Sequence, residues 1–140
     1  MSVPRFLLDT NVLSEATKFR PAPSVLKALT SNINTLATAS VVYHELRFGW
    51  LSMPESRKKA ETGDYIRQHV EDTLLILPYC ERAASWHAKE RSRLQQIGRI
   101  PPFIDGQIAS IAAVNDLTLV TRNVKDFQHF QDLTVENWFD

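Results

Sequence analysis

The sequence contains one cysteine, four glycines and no excess of charge of either sign. Its single thiol, Cys80, cannot form an internal disulfide, which is typical of a reducing compartment, and we expect it to fill the core beside Leu77. The scarcity of glycine argues against a fibrous or disordered chain. Because Lys plus Arg and Asp plus Glu both number 16, no overall positive field attracts nucleic acid or a membrane surface. Any contact with a polyanion must therefore be local.

Long apolar runs are also missing from the sequence. No stretch approaches the ~20 apolar residues of a membrane span. The apolar run at residues 6–8 is too short for the core of a signal peptide, so we expect a cytoplasmic protein without a membrane segment. With 140 residues, of which 44% are hydrophobic, the chain is long enough for one domain over residues 1–140 with a single core.

Short apolar strands alternate with helical segments along the chain. We predict strands at residues 5–8, 35–37, 74–78 and 117–121, the third of them buried, and the tail sequence LTVENW is compatible with a fifth. Helices are predicted between them, at residues 12–17, 24–31, 41–53, 55–72, 81–97 and 104–114. This alternation favours an α/β fold in which helices cover both faces of a mostly parallel sheet.

The same pattern predicts helix ends and helix faces. Ser40 is the predicted N-cap of its helix, Gly63 argues against one unbroken helix over residues 55–72, and Gly98 is predicted to end the helix before it. Apolar spacing defines the inward faces of the last two helices. The residues expected on these faces are Ala84, Trp86, Ala88 and Leu94 in the first, and Ile104, Ile108, Ile111 and Ala112 in the second.

Acidic residues from distant parts of the chain are predicted to meet at one edge of the sheet. In parallel sheets, ligands bind beyond the carboxyl ends of the strands. Asp9 directly follows the first strand, and Glu45 lies in the helix after the second. Asp105 begins the helix that leads back to the fourth strand. Asn123 and Asp126 follow that strand, so four separate segments bring polar groups to this edge.

Each of these acids has an ordinary explanation when it is considered alone. Asp9 could cap a turn, Asp105 could favour a helix N-terminus, Glu45 could pair with Arg47, and Asp126 could be a loop residue. Together they are harder to explain, because two carboxylates ~4 Å apart repel by about 4 kcal/mol at an effective dielectric constant near 20. Three or four such groups in one cleft require a cation.

Ligation by oxygen alone, without cysteine or paired histidine, selects Mg²⁺ or Mn²⁺ over zinc. Mg²⁺ keeps several waters and is usually completed by substrate phosphates, which suits hydrolysis of a phosphodiester. The ion makes a bound water more acidic, and a carboxylate such as Glu45 could orient that water or accept its proton. A cation would also allow a chain of zero net charge to hold an RNA backbone.

Four stretches of the sequence together resemble the PIN-domain ribonucleases, and most closely the VapC-type toxins of bacterial toxin–antitoxin pairs. They are FLLDTNVLSE at residues 6–15, TASVVYHELRFG at 38–49, PFIDGQIASIAA at 102–113 and LVTRNVKDF at 119–127. The four motifs follow the order of the family over nearly the whole chain. Their combination is specific, although each alone would be weak.

The resemblance implies a PIN α/β/α sandwich with a central, mostly parallel sheet of four or five strands. It implies Mg²⁺-dependent endonucleolytic cleavage of RNA, a small cognate antitoxin as partner, and a homodimer. The implied acidic site consists of Asp9, Glu45 and Asp105, with Asp9 and Asp105 as the direct metal ligands. The residues implied to support the pocket are Thr10, Asn11 and Thr121.

One position departs from the pattern of the family. Many relatives carry a fourth acid directly after the TR dipeptide, where this chain has Asn123. An amide can ligate a cation or bind water but adds no charge, so Asn123 is assigned a supporting role. Asp126, three residues later, is the substitute that we expect as the fourth catalytic acid, and the number of metal ions stays open.

Other residues suggest contacts with a substrate or a partner. The basic residues to test for phosphate contact are Arg47, Arg122 and Lys125, together with Lys58, Lys59 and Arg99, although a solvated face is the ordinary explanation for each. Trp50, Leu51 and Met53 could form a dimer surface, an antitoxin surface or part of the core. The remaining histidines, His69, His87 and His129, are expected at the surface.

Three other functions are alternatives to the ribonuclease hypothesis. A zinc-protease motif would need histidine at position 48, where the chain has Phe48, so this function is excluded. A PIN-like protein that binds RNA or a partner without cleavage stays possible. A metal-dependent phosphatase is the third, although the common aspartyl-phosphate type would carry an acid two residues after Asp9.

Overall fold

The sheet has five strands, all parallel, in the order β3-β2-β1-β4-β5. This architecture comes from a computed structural model that describes residues 3–140. The strands are β1 (Phe6–Leu8), β2 (Leu36–Ala39), β3 (Leu75–Leu77), β4 (Thr118–Val120) and β5 (Val135–Glu136). The prediction of an α/β fold with a parallel central sheet is confirmed, and the fifth strand lies in the tail where the sequence allowed one.

Six α-helices connect these strands within the described part of the chain. They are α1 (Thr10–Glu15), α2 (Pro23–Ser31), α3 (Ser40–Leu51), α4 (Arg57–Ile66), α5 (Glu81–Gln96) and α6 (Phe103–Val114). A π-helical turn (Arg67–Glu71) extends α4, and two 3₁₀ turns occupy Ile33–Thr35 and Val124–Phe127. None of the described helices is long and apolar enough to cross a membrane.

Helix ends agree with the sequence at some positions and differ at others. α5 ends before Gly98, whose φ of 70° is the left-handed conformation that glycine adopts without strain. α3 begins at Ser40 itself, and the residue before it, Ala39, caps the helix without a side-chain hydrogen bond. The prediction of Ser40 as N-cap is therefore wrong by one position.

The strand β1 lies at the centre of the sheet and forms the middle of the core. Leu7 and Leu8 are completely buried, as are Leu119 and Val120 of the neighbouring strand β4. Burial of one such side chain stabilises the fold by about 1.5–3 kcal/mol. The edge strand β3 differs, because Leu75 is 50% exposed. The prediction that this third strand is buried was wrong, since it has a neighbour on one side alone.

The inward face of α5 agrees only in part with the apolar spacing: Leu94 is buried as predicted, but Ala88 is exposed, and Ala84 and Trp86 are partly buried. Its buried residues are Ala83, His87, Glu90 and Leu94, at helical spacing but half of them polar. His87 was expected at the surface and is 3% exposed. Its Nδ1 lies 2.8 Å from the Tyr79 hydroxyl. Hydrogen bonding satisfies one ring nitrogen, which reduces the cost of burying the imidazole.

The helix α6 packs against this imidazole through a glycine. A Cβ atom on Gly106 would lie 2.0 Å from Nε2 of His87, so no other residue fits here without displacing the ring. Further along α6, Ile108, Ile111 and Ala112 are buried as predicted. The prediction for Ile104 was wrong, since this residue is 45% exposed in the first turn of the helix.

Two further predictions concerned single residues. Gly63 does not interrupt α4, which continues to Ile66. The glycine makes room for a neighbouring ring, since a Cβ atom there would lie 2.7 Å from the indole of Trp50. The Nε1–H of Trp50 donates a hydrogen bond to the Lys59 carbonyl at 2.9 Å. Cys80 was expected in the core but is exposed, because it directly precedes α5 as its N-cap residue.

Candidate active site

Asp9 lies at the carboxyl edge of the sheet, between the ends of two central strands. Leu8 of β1 is in register with Val120 of β4, so the residues that follow them are adjacent. The Asp9 N–H donates a hydrogen bond to the Val120 carbonyl at 2.9 Å. Asp9 as a whole is 8% exposed. A charge in this position needs partners.

Two hydrogen-bond donors hold the Asp9 carboxylate. The Thr121 hydroxyl donates to Oδ2 at 2.8 Å, and the Thr10 N–H donates to Oδ1 at 2.7 Å. Both bonds favour the ionised carboxylate and lower its pKa, but burial acts more strongly, so the net pKa of Asp9 is raised. Asp9 is therefore fixed in position without being neutralised by the protein.

The predicted supporting residues form one network around the Thr121 hydroxyl. Its hydrogen is directed to Asp9, so its oxygen is free to accept. The Asn11 side-chain amide donates to this oxygen at 3.3 Å and the Asn123 N–H at 3.1 Å. The Arg122 N–H donates to Oδ1 of Asn11 at 3.1 Å, which closes the network. The structure thus brings Asn11, Thr121 and Asn123 together beside Asp9.

Glu45 reaches the same site from the other side of β1. The hydroxyl of Thr10 donates to its Oε2 at 3.0 Å, so Thr10 contacts Asp9 through its backbone and Glu45 through its side chain. Strand β2, which precedes α3, is tied to β1 by a hydrogen bond from the Thr38 hydroxyl to the Leu8 carbonyl at 2.8 Å. This contact fixes the start of α3 relative to Asp9.

Asp105 and Asp126 complete a group of four carboxylates that act on one another. Burial, and after it the charges of Asp126, Asp9 and Glu45 in that order, together raise the pKa of Asp105 to about 6. Glu45 and Asp126 also raise the pKa of Asp9, after burial. The four carboxylates are thus near enough to shift the pKa of one another, and the charged groups that shift the pKa of Asp105 are all carboxylates.

The chemistry of this donor set fits a hard divalent cation. Carboxylate, hydroxyl and amide oxygens surround Asp9, and such oxygens suit Mg²⁺ and Mn²⁺ rather than softer metals. Among residues 3–140, no three side chains of the His, Cys, Asp and Glu types are close enough to hold one ion jointly. Mg²⁺ is usually bound through one or two carboxylates and keeps several waters, so a pair of carboxylates from this edge would be enough to hold it.

The basic residues proposed for phosphate contact lie in different places. Lys125 is exposed in the same 3₁₀ turn as Asp126, and the Arg122 guanidinium lies 4.7 Å from the centre of the Phe139 ring. Arg47 points elsewhere, since it pairs with Glu71 at 3.1 Å. Arg47 lies two positions after Glu45 on α3, which places their side chains on different helix faces.

One buried residue next to the start of α6, His87, was not predicted from the sequence to support the site. His87 packs against Gly106, the next residue after Asp105, and so supports the first turn of α6. A histidine in a charged helix gives no signal of burial. Gly106 could have given one, because a glycine inside a helical pattern often has a packing reason.

The five-stranded parallel sheet and its acidic edge define the class of protein. Residues 6–133 match the family described as PIN domain. Because this match covers most of the chain, the chain belongs to the PIN-domain family.

Individual relatives indicate a subgroup within the PIN-domain family. The chain is 32% identical over 135 residues to Ribonuclease VapC2 of Rickettsia felis, with 95% of this chain and 97% of that protein covered. It is 30% identical over 135 residues to a tRNA(fMet)-specific endonuclease VapC of Shigella flexneri, with 96% and 98% covered.

Solved structures agree with these sequence matches. The chain superimposes with a TM-score of 0.83 and 29% identity on a crystal structure of VapBC2 from Rickettsia felis bound to a DNA fragment from their promoter. This match covers 98% of this chain and 99% of that chain. The resemblance to VapC-type ribonuclease toxins, first drawn from four sequence motifs, is confirmed.

Proposed function

We propose that this protein is the endoribonuclease toxin of a toxin–antitoxin pair and that it hydrolyses RNA phosphodiester bonds with Mg²⁺ bound directly by Asp9 and Asp105, while Glu45 contacts the ion through a bound water. The observation that supports the metal site most is the mutual repulsion of carboxylates from separate elements at one edge of the sheet. Such repulsion is relieved when a cation binds. Mn²⁺ is the expected substitute, because it prefers the same oxygen ligands.

We assign two roles to the residues of the site: some orient the carboxylates, and one orients the water or accepts its proton. Hydrogen bonds from Thr10 and Thr121 orient Asp9, and the Thr10 hydroxyl orients Glu45. When bound, the cation makes a water more acidic and offsets charge that develops on the phosphorus and the leaving oxygen. Glu45 orients the attacking water or accepts its proton. Asp126 is the fourth acid of the site.

Supporting contacts with the substrate come from residues around the acidic edge. Lys125 and Arg122 are proposed to contact phosphates, whereas Arg47, also predicted for this role, is paired with Glu71. The Shigella flexneri relative is named as a tRNA(fMet)-specific endonuclease, which makes a transfer RNA the first substrate to test. An RNA substrate assigns the activity to the cytoplasm.

The proposed partners are a small antitoxin and a second copy of the chain. The pairing with an antitoxin is extended from the VapBC2 structure of Rickettsia felis. For the homodimer, α3 and the edge strand β3 supply exposed apolar side chains, with Phe48 66% and Leu51 54% exposed beside Leu75. Exposed apolar residues on adjacent elements are typical of an interface. Trp50, considered earlier for such a surface, packs against α4 instead.

The test of this function uses purified protein, free of antitoxin, with total RNA and transfer RNA in the presence of Mg²⁺ or Mn²⁺. Cleavage by the wild type and its loss in Asp9→Asn support the proposal. Glu81→Gln is a suitable control, because it removes an exposed carboxylate at the start of α5. Identical behaviour of wild type and Asp9→Asn would contradict an acidic catalytic site.

Two other outcomes correspond to the alternative functions. Growth inhibition that survives both Asp9→Asn and Asp105→Asn would indicate a protein that binds RNA or a partner without cleavage. Turnover of a chromogenic phosphomonoester without RNA cleavage would indicate a phosphatase.

A further inference from the structure

A pocket of about 290 Å³ continues from the acidic site along the groove between α1, α3 and α4. It shares Thr10 and Glu45 with the acidic site, so the pocket and the site are adjacent. Its walls combine a few hydroxyl groups with an apolar surface. Among the residues that line it are Ser14, Thr62, Leu46, Trp50 and Met53. We call this cavity the side pocket.

One wall of the side pocket is an aromatic ring that is held rigidly. The Trp50 indole donates to the Lys59 carbonyl at 2.9 Å and lies against Gly63, where a Cβ atom would come within 2.7 Å. The Arg47 guanidinium lies 5.4 Å from the ring centre, and Arg47 lines a neighbouring cavity that also contacts Trp50. Trp50 thus separates two cavities and cannot rotate freely.

The charge at the rim of the side pocket is opposite to that of the acidic site. Lys58 is the one basic side chain among the described residues that line it, and it is exposed. Its ammonium group donates to the Thr17 carbonyl near the end of α1. The lining of the pocket therefore includes one carboxylate, that of Glu45, and one cation, that of Lys58.

The helix α3 leaves space on the pocket side through a glycine. A Cβ atom on Gly49 would meet no atom within 4 Å, so this glycine is not required by packing. Because Gly49 has no side chain, this part of the pocket stays open. This differs from Gly63 and Gly106, where neighbouring rings exclude any side chain.

We propose that the side pocket binds one base of a single-stranded RNA, next to the phosphate that is cleaved, and that Lys58 contacts the neighbouring phosphate. This inference rests on the proposed ribonuclease function and adds its substrate position. Single-stranded RNA is recognised largely by stacking of unpaired bases on aromatic side chains, with hydrogen bonds to their edges. Trp50 supplies a rigid ring, and the hydroxyls of Ser14 and Thr62 supply hydrogen-bonding groups at the wall.

The first experiment fills the pocket. Wild type and Gly49→Leu are each incubated with a randomised pool of single-stranded RNA and Mg²⁺, and the cleavage products are sequenced. Gly49→Leu is expected to lose or change the base preference at one position beside the cut, with kcat/KM for the preferred sequence lowered at least about ten-fold. Ser52→Leu, at the end of the same helix and outside the pocket, keeps the wild-type pattern. An unchanged pattern in Gly49→Leu would overturn the proposal.

The second experiment removes the charge and needs no change in the helix. In single-stranded RNA binding, the slope of log affinity against log salt concentration changes by about 0.7 for each phosphate contact. Lys58→Gln is expected to lower the slope by that amount. Arg57→Gln, which removes the same charge from an exposed pair with Glu61, leaves the slope unchanged. Equal slopes in wild type and Lys58→Gln would exclude the phosphate contact.

A third measurement separates failure of the pocket from failure of the ribonuclease function. The indole N–H resonance of Trp50, assigned with Trp50→Phe, is followed while a randomised pool of hexaribonucleotides is added without divalent cation. A shift in the wild type that is absent in Gly49→Leu supports base binding even if no RNA is cleaved. A resonance that does not move in the wild type overturns the proposal, whether or not the protein cleaves RNA.

Discussion

Two buried carboxylates in this protein are treated in opposite ways. Glu90 on α5 is 8% exposed, as is Asp9 at the sheet edge. Glu90 accepts two hydrogen bonds from Arg93 at 2.9 Å and one from the Gln131 N–H at 2.7 Å, and the Arg93 contact lowers its pKa. The pKa of Asp9 is raised by burial and by nearby acids. One carboxylate is neutralised within the chain, and the other is not.

This difference distinguishes a buried carboxylate that stabilises the fold from buried carboxylates that are proposed to bind a cation. Glu90 and Arg93 hold the segment after the last 3₁₀ turn, because Arg93 also donates to the His129 carbonyl at 2.7 Å. Here the protein supplies its own cation, and the pair needs nothing from solution. At the sheet edge the same chain leaves several acids together, which costs stability unless an external cation binds. Perturbed acids in a cleft of this kind are typical of functional sites.

The largest effect is expected when a positively charged side chain is placed in the acidic site, so that the site resembles the Glu90–Arg93 pair. Asp126→Lys is expected to pair with Asp9 or Asp105 and to exclude the metal, because the acids would then resemble Glu90. Loss of the cation should lower the rate of RNA cleavage by about 10²–10³-fold. Cleavage kinetics at fixed Mg²⁺ measure this effect. Asp72→Lys makes the same change at an exposed position away from the site, and equal rates in the two variants would refute the expectation.

Binding of Mg²⁺ should stabilise the acidic site and leave the Glu90 contact unaffected. A ligand that binds the folded state alone adds about 2.7 kcal/mol of stability at 100 times its Kd. We expect thermal unfolding in EDTA and in Mg²⁺ to show this difference for the wild type and for Glu90→Ala. Asp9→Asn should show little of it. A similar Mg²⁺ effect in Asp9→Asn would mean that the cation binds elsewhere.

Removal of the structural carboxylate should weaken the fold rather than the chemistry. Glu90→Ala removes the acceptor of two Arg93 hydrogen bonds and of the Gln131 N–H, at a cost of about 1–3 kcal/mol in the free energy of unfolding. Urea unfolding measures this cost. The matched control is Glu81→Ala, at an exposed position on the same helix, which should change stability little. Loss of Mg²⁺ binding in Glu90→Ala, with stability unchanged, would reverse the assignment of the two carboxylates.

The smallest expected effect is a pH dependence that has the opposite sign in the two regions. Burial and, after it, the neighbouring acids raise the pKa of Asp105 from 3.8 to about 6, so the folded state takes up this proton before the unfolded state as the pH falls. Without metal, the wild type should therefore gain stability relative to Asp105→Asn between pH 6 and pH 4. The gain stays well under the ~2.7 kcal/mol of a two-unit shift, because Asp105 is partly exposed.

The measurement is the difference in unfolding free energy between wild type and Asp105→Asn, in EDTA, as a function of pH. For Glu90 the sign reverses, because its pKa is lowered and the stability it contributes is lost as the pH falls. A wild-type minus variant difference for Asp105 that does not depend on pH would show that the acids do not repel one another in solution.

The strands and the acidic edge could be predicted from the sequence because both follow from local patterns. Apolar runs mark β1 and β4, and the first polar residues after them, Asp9 and Thr121, must lie at the carboxyl edge of a parallel sheet. Asp105 was found for a similar reason, since it begins a helix that leads back to that sheet. The prediction succeeded where position along an element determines position in the fold.

The sequence could not predict contacts between faces of distant helices. His87 and Glu90 are polar, so the buried face of α5 has no apolar period to reveal it. Their burial depends on partners from other segments, Tyr79 and Gln131, which no local pattern connects to them. Trp50 was placed in the right helix, but its contact with Gly63 requires knowledge of how α3 and α4 pack.

The hydrogen bond between Asp9 and Thr121 joins residues 112 positions apart. Translation proceeds from the N-terminus, so the ribosome releases Asp9 long before β4 and Thr121 have been made. A nascent chain that ends before β4 has neither the strand that borders Asp9 nor the hydroxyl that orients its carboxylate. During synthesis the proposed catalytic centre consequently stays incomplete until β4 and Thr121 have been made and have joined the sheet.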